Sequence, residues 1–193
     1  HHYTLTPPAD ICTLDASSRT SVDIITGNLT GKNSKKPILF NNDGTKFFIF
    51  GTFGGTLAVY NLTTPYDISS ISASTQVADD GIAYNVLDLG SDPINTDAEI
   101  RLHDADFNND GTKMYLTDGK QGATNIVEYN LSTPFDPSSA SYNTTLNTET
   151  DGVSQFGMEL AFDDDGTRMY FGEGNNGAST GYKMYVYKLS TPF

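Results

Sequence analysis

Phe162-Asp163-Asp164-Asp165-Gly166-Thr167-Arg168-Met169-Tyr170, followed after a Gly-rich gap by Lys183-Met184-Tyr185-Val186-Tyr187-Lys188-Leu189-Ser190-Thr191-Pro192-Phe193, is the clearest of three copies of one phrase. The first copy runs from Phe40 through Asn41-Asn42-Asp43-Gly44-Thr45 to Phe48 and resumes at Leu57 to Tyr66. The second runs from Phe107 through Asn108-Asn109-Asp110-Gly111-Thr112 to Tyr115 and resumes at Ile126 to Phe135. A partial copy, Tyr3 to Ile11, opens the chain. The tyrosines at 3, 60, 129 and 187 set intervals of 57, 69 and 58 residues. A fixed internal period means that one supersecondary unit per repeat buries its face on the next.

Each unit begins with a short apolar run ending in Phe (38–40, 105–107, 160–162) and meets Asn/Asp-Asp-Gly at once. Asp and Asn bond their own backbone, and Gly supplies positive φ, so Asp-Gly between two β-like runs predicts a tight hairpin. Asp43-Gly44, Asp110-Gly111 and Asp165-Gly166 are its structural residues. The next run alternates polar and apolar residues, a third strand follows, and Ser/Thr-Pro ends it because Pro cannot donate to a ladder. A fourth run, such as Ala140 to Leu146, is rich in Ser, Thr and Tyr. Four antiparallel strands per roughly sixty residues describe a propeller blade. A β-sandwich gives no reason for one strand–turn–strand phrase to recur with its turn chemistry intact, and no window sustains the i, i+3, i+4, i+7 pattern of a helix.

The expected fold is therefore all-β, a propeller-type array of four-stranded antiparallel blades with about three repeats, either an incomplete propeller or part of an oligomeric one. The chain reads as a single domain, 1–193, with repeats at about 26–79, 80–149 and 150–193. Residues 1–25 form a partial repeat that supplies an orphan strand at 14–25. Three blades are too few for a ring, so the orphan strand is expected to complete the last blade of a neighbouring copy, giving a ring or a filament. An acidic insertion, 79–99, accounts for the longer second interval, and Ile82 to Leu89 within it reads as extended.

The phrase Phe-x-x-Asp-Gly-Thr-Lys-Met-Tyr, then Tyr-x-Leu-Ser-Thr-Pro-Phe-Asp, resembles the seven-bladed-type β-propeller repeats of secreted or cell-surface bacterial and archaeal proteins and of some phage virion proteins. The resemblance covers nearly the whole chain. It implies a fold and little about activity, since propellers host unrelated functions. The repeats here are longer than is usual for that family.

The 193 residues include 24 acids against 11 bases, a net charge of −13. Such a field repels phosphate backbones and anionic lipid, so neither nucleic acid nor membrane insertion is expected; Lys32, Lys35 and Lys36 read as a solvated loop. With 11 Phe, 11 Tyr and 37% hydrophobic residues the chain can build a core. Cys12 is the single cysteine, so no intrachain disulfide is expected. Low charged content and acidic pI point to an extracellular, cell-surface or virion location. No transmembrane run or signal peptide is present, and the chain begins His1-His2 without Met, as expected of a processed or partial chain.

Asp104, Asp106, Asn108 and Asp110 place oxygen ligands at every second residue, the spacing of hard-cation loops, and calcium is the ion they would take. An EF-type loop from Asp106 would need an acid where Thr117 stands, and half of the pattern is the recurring turn. Asp163, Asp164 and Asp165 read in the same way. Glu99, Arg101 and His103 alternate along the strand entering the second unit and would share its channel face, a candidate ligand site. The sequence has no Gly-x-Ser-x-Gly elbow and no Trp. The expectation is accordingly no enzyme: a non-enzymatic structural or adhesive module whose partners are other copies of itself or further blades. The alternative is a propeller that recognises a glycan or a divalent cation. Asn28, Asn61, Asn130 and Asn143 are glycosylation acceptors by motif. Tyr60, Tyr129, Tyr185 and Tyr187 are expected to pack blade against blade.

Overall fold

The computed structural model describes residues 38–50, 57–77, 102–120, 123–148, 157–173 and 183–192, together with positions 17, 19 and 21. The described residues hold eleven strands in three antiparallel sheets. The first sheet is β1 (Ile38–Phe40), β2 (Lys46–Phe50), β3 (Leu57–Leu62) and β4 (Ile71–Val77). The second is β5 (Leu102–Phe107), β6 (Lys113–Lys120), β7 (Ala123–Leu131) and β8 (Ala140–Asn147). The third is β9 (Gly157–Phe162), β10 (Arg168–Glu173) and β11 (Lys183–Lys188). In each sheet neighbours in sequence are neighbours in space. The orphan strand at 14–25, the insertion 79–99, Lys32, Lys35, Lys36 and Cys12 lie outside the described residues or at isolated positions among them.

Period-two alternation gives every strand two faces, and in the first two sheets both faces carry buried apolar residues. Phe48 and Val59 of the first sheet bury against Ala105, Phe107, Met114, Val127 and Tyr129 of the second. Tyr115 and Ile126, on the opposite face of the second sheet, bury against Leu160, Met169 and Phe171 of the third. The same residue pair marks both junctions. Phe48 meets Phe107 with ring centroids 4.8 Å apart, and Tyr115 meets Phe162 at 4.5 Å; each such pair is worth about 1 kcal/mol beyond the area it buries. Tyr129 is fully buried at the first junction, and Tyr187 packs at the second, so tyrosine does pack sheet against sheet.

Gly44, Gly111 and Gly166 have φ of 69°, 70° and 65°, as the turn chemistry predicts. The turn is wider than a two-residue Asp-Gly tip. Gly44 N–H donates to the Asn41 carbonyl (3.0 Å), so Asn42 and Asp43 occupy the centre and Gly44 leaves it. Asn41 Oδ1 accepts from Lys46 N–H (2.8 Å), and Asp43 Oδ1 accepts from Thr45 N–H and hydroxyl (2.9 and 2.6 Å). Asn108 and Asp110 repeat these bonds with Lys113 and Thr112. In the third copy Asp163 takes the asparagine's place, accepting from Arg168 N–H at 2.7 Å.

The residue after Ser/Thr-Pro closes this turn from below. Tyr66 and Phe135 adopt φ of 59° and 53°, a left-handed conformation that L-residues avoid unless their surroundings enforce it. Each donates its N–H to the turn glycine's carbonyl, Tyr66 to Gly44 at 2.8 Å and Phe135 to Gly111 at 2.9 Å. Their rings lie so close that a Cβ on Gly44 or Gly111 would sit 2.4 or 2.3 Å from a ring carbon. The glycines are required twice, for φ and for space. A 3₁₀ turn then begins the fourth strand, with Asp67 and Asp136 accepting from Ser69 and Ser138 N–H.

Candidate functional site: the junctions and the outer face of the third sheet

Comparing equivalent positions of the repeats separates what builds the array from what is particular to one junction. At the first junction Leu39 and Val59 are apolar. Their equivalents at the second are Asp106 and Glu128, so the second junction carries charge where the first does not.

Asp104 and Asp106 face the third sheet. Their register partners on β6 are Thr117 and Tyr115, and Tyr115 belongs to the second junction. Asp104 Oδ2 accepts from Leu160 N–H across it (2.8 Å), and Asp104 Oδ1 from Ala105 N–H (2.9 Å). Burial raises the Asp104 carboxyl above its ordinary range against those two bonds, with the charge of Glu159 adding to the rise. Burial likewise pushes Asp106 up to about 6, against one bond from Phe107 N–H and with the Asp104 charge adding to it. Asp110 is held below the usual range, first by the Thr112 hydroxyl. The predicted cation set Asp104, Asp106, Asn108 and Asp110 is thus divided. Asn108 and Asp110 are consumed by the turn, while Asp104 and Asp106 belong to the junction. Among the described residues no group of three or more His, Cys, Asp or Glu side chains could hold a metal ion. Asp163, Asp164 and Asp165 also belong to a turn, Asp163 pairing with Arg168 at 3.3 Å.

The predicted channel triad is not brought together in the described residues, because Glu99 and Arg101 lie outside them. His103 is half-buried at a bulge: Leu102 pairs with Asp118 and Asp104 with Thr117, so the simple alternation behind that expectation does not run through His103. Of the glycosylation motifs, Asn61, Asn130 and Asn143 are exposed, Asn143 donating to Glu128 Oε1 at 2.5 Å, and Asn28 is outside the described residues.

Two features escape a motif search. One is a polar ladder between turns. Asn42 Nδ2 donates to the Asn109 carbonyl, and Asn109 Nδ2 donates to the Asp164 carbonyl. The equivalent third side chain, Asp164, has no amide to donate. The Asn42 carbonyl at the other end accepts from the Tyr66 hydroxyl at 2.5 Å, a group that Phe135 lacks. The second feature is the outer face of β9–β11. Tyr170 pairs with Val186 and Gly172 with Met184, so Tyr170, Met184 and Val186 share a face. Met184 is 74% exposed and Val186 55%. Their equivalents at the second junction, Tyr115, Ile126 and Glu128, lie under the third sheet, as Phe48 and Val59 lie under the second. Only an alignment of the three repeats could have flagged either feature.

No family model and no curated protein sequence matches the chain. Several solved structures resemble it, two of which are enzymes by description. One is a candidate 6-phosphogluconolactonase from Bacteroides fragilis, 11% identical, covering 98% of this chain and 49% of its own, with a TM-score of 0.43. The other is an α-L-arabinofuranosidase from Clostridium thermocellum, 14% identical, covering 81% and 47%, with a TM-score of 0.47. The chain spans about half the length of each.

Proposed function

We propose that the chain is a propeller-type array of blades that serves as an extracellular structural or adhesive module, a virion or surface-filament component, and extends by docking on other copies of itself. The expectation that it is no enzyme is withdrawn, because the two solved structures named above are described as enzymes; at such identities and TM-scores neither activity transfers to this chain. The blade arrangement is supported by three sheets stacked in series, with the first strands of the second and third joined by the Asp104–Leu160 bond. The observation that carries the assembly reading is the exposure of Met184 and Val186, whose equivalents Ile126 at the second internal junction and Val59 at the first are buried. Arg168 and Lys188 pair on that same face, a basic margin in a chain of net charge −13 that favours an acidic partner such as a second copy. Residues 14–25 of that copy, which the sequence leads one to expect as extended, would add beside β11. The extracellular placement rests on composition. Among the described residues no helix is long and apolar enough to cross a membrane.

Light scattering tests this reading. The 193-residue chain is expected to associate in the range of about 1–300 µM, typical of weak interfaces. Met184→Lys/Val186→Lys is expected to remain monomeric with an unchanged thermal midpoint. A wild type that stays monomeric throughout, or a double variant that assembles equally well, overturns the reading.

A further inference from the structure

Where Glu128 replaces the valine of the first junction, the second junction opens. Lys46 Nζ at the first junction reaches the Phe135 carbonyl (3.0 Å) beside buried Val59. At the second, Lys113 Nζ pairs instead with Glu128 Oε1 at 2.9 Å. The two side chains keep 35% and 18% of their surface. A cleft of about 180 Å³ lies there, with Phe162, Met169 and Leu189 of the third repeat forming its apolar wall and Thr144 and Thr191 standing with the ion pair.

We propose that this cleft binds a single neutral sugar ring. Its volume is close to that of a cavity of roughly 150 Å³ that admits one benzene ring, below the usual range for drug-sized ligands and suited to one ring. The ion pair sums to zero charge. An anion would meet Glu128, a cation would compete with Lys113, and a wholly apolar guest would strip water from both without replacing its hydrogen bonds. Lys113 donates, Glu128 accepts and the two threonine hydroxyls do both, which matches adjacent ligand hydroxyls. The apolar wall matches the C–H face of a pyranose. The proposal is independent of the assembly reading, since the cleft lies on the opposite side of the third sheet from Met184 and Val186.

The test is a methyl-detected NMR titration with methyl β-D-glucopyranoside, methyl β-D-galactopyranoside and methyl α-D-mannopyranoside in turn. At least one is expected to shift the Met169 and Leu189 methyl signals saturably, with a dissociation constant on the order of millimolar for so few atoms. Glu128→Val installs the first junction's residue and is expected to fold while weakening binding at least about tenfold. If that variant does not fold, Glu128→Gln replaces it with the same expectation. Met184→Lys/Val186→Lys is expected to bind as the wild type does. The proposal fails if all three glycosides give only non-saturating shifts up to about 100 mM, or if the folded Glu128 variant binds undiminished.

Discussion

The side-chain amide of Asn109 donates to the backbone carbonyl of Asp164, joining two turns 55 residues apart in the chain. Asn42 does the same to Asn109. These bonds set the height at which consecutive sheets stack, because each depends on one turn standing level with the next. Asn109→Asp is therefore expected to destabilise by about 1 kcal/mol, since it removes a donor from an exposed bond and brings a carboxylate against a carbonyl. Asp164→Asn should be near neutral. Urea denaturation of the two variants checks this, and equal losses would deny the ladder any energetic role.

Gly111→Ala faces both the left-handed conformation and the Phe135 ring. A loss of at least about 2 kcal/mol is expected, about 1 from φ and the rest from displacing the ring. Adding Phe135→Ala should recover the steric part and leave the backbone part, so the double mutant is predicted to lose less than the sum of the single losses. Strict additivity would mean that the ring does not confine the glycine.

Asp106 gives the junction a pH dependence. Its folded-state pKa, about 6, stands above the ordinary value of 3.8, so the folded chain holds the proton more tightly than the unfolded chain. Its contribution is fully present below about pH 4 and is lost as pH rises through about 6, amounting to about 2 kcal/mol after allowance for partial exposure. Asp104, also raised, acts in the same direction. Asp43 and Asp110 are lowered, first by hydrogen bonds from the Thr45 and Thr112 hydroxyls, so their contribution is lost only as pH falls below about 4. Asp106→Asn should gain stability over the wild type at pH 7.5 and much less at about pH 4.5. A gain that is the same at both pH values would remove Asp106 as the cause.

Tyr66→Phe isolates the hydroxyl that caps the Asn42 carbonyl. The bond is exposed, so a loss of about 0.5 kcal/mol is expected, with Phe135→Tyr giving no matching gain because Asn42 already donates to the equivalent Asn109 carbonyl. Paired denaturation curves decide it.

The sequence by itself determined the all-β class, the positive φ of three turn glycines and the alternating faces of the strands. All of these are local: a turn's dihedrals and a strand's period of two are properties of a few consecutive residues. Other readings could not be decided locally. Asp104 to Asp110 has cation-loop spacing, but Asn108 and Asp110 are held by their own turn while Asp104 reaches Leu160, 56 positions away. The tertiary structure alone decided that Asn42 and Asn109 bridge turns, that Tyr66 and Phe135 fold back under their glycines, that Glu128 and Lys113 border a cleft, and that Met184 and Val186 stay exposed. Each depends on which sheet faces which, and the same Met-x-Val pattern reads alike whether another sheet covers it or water does.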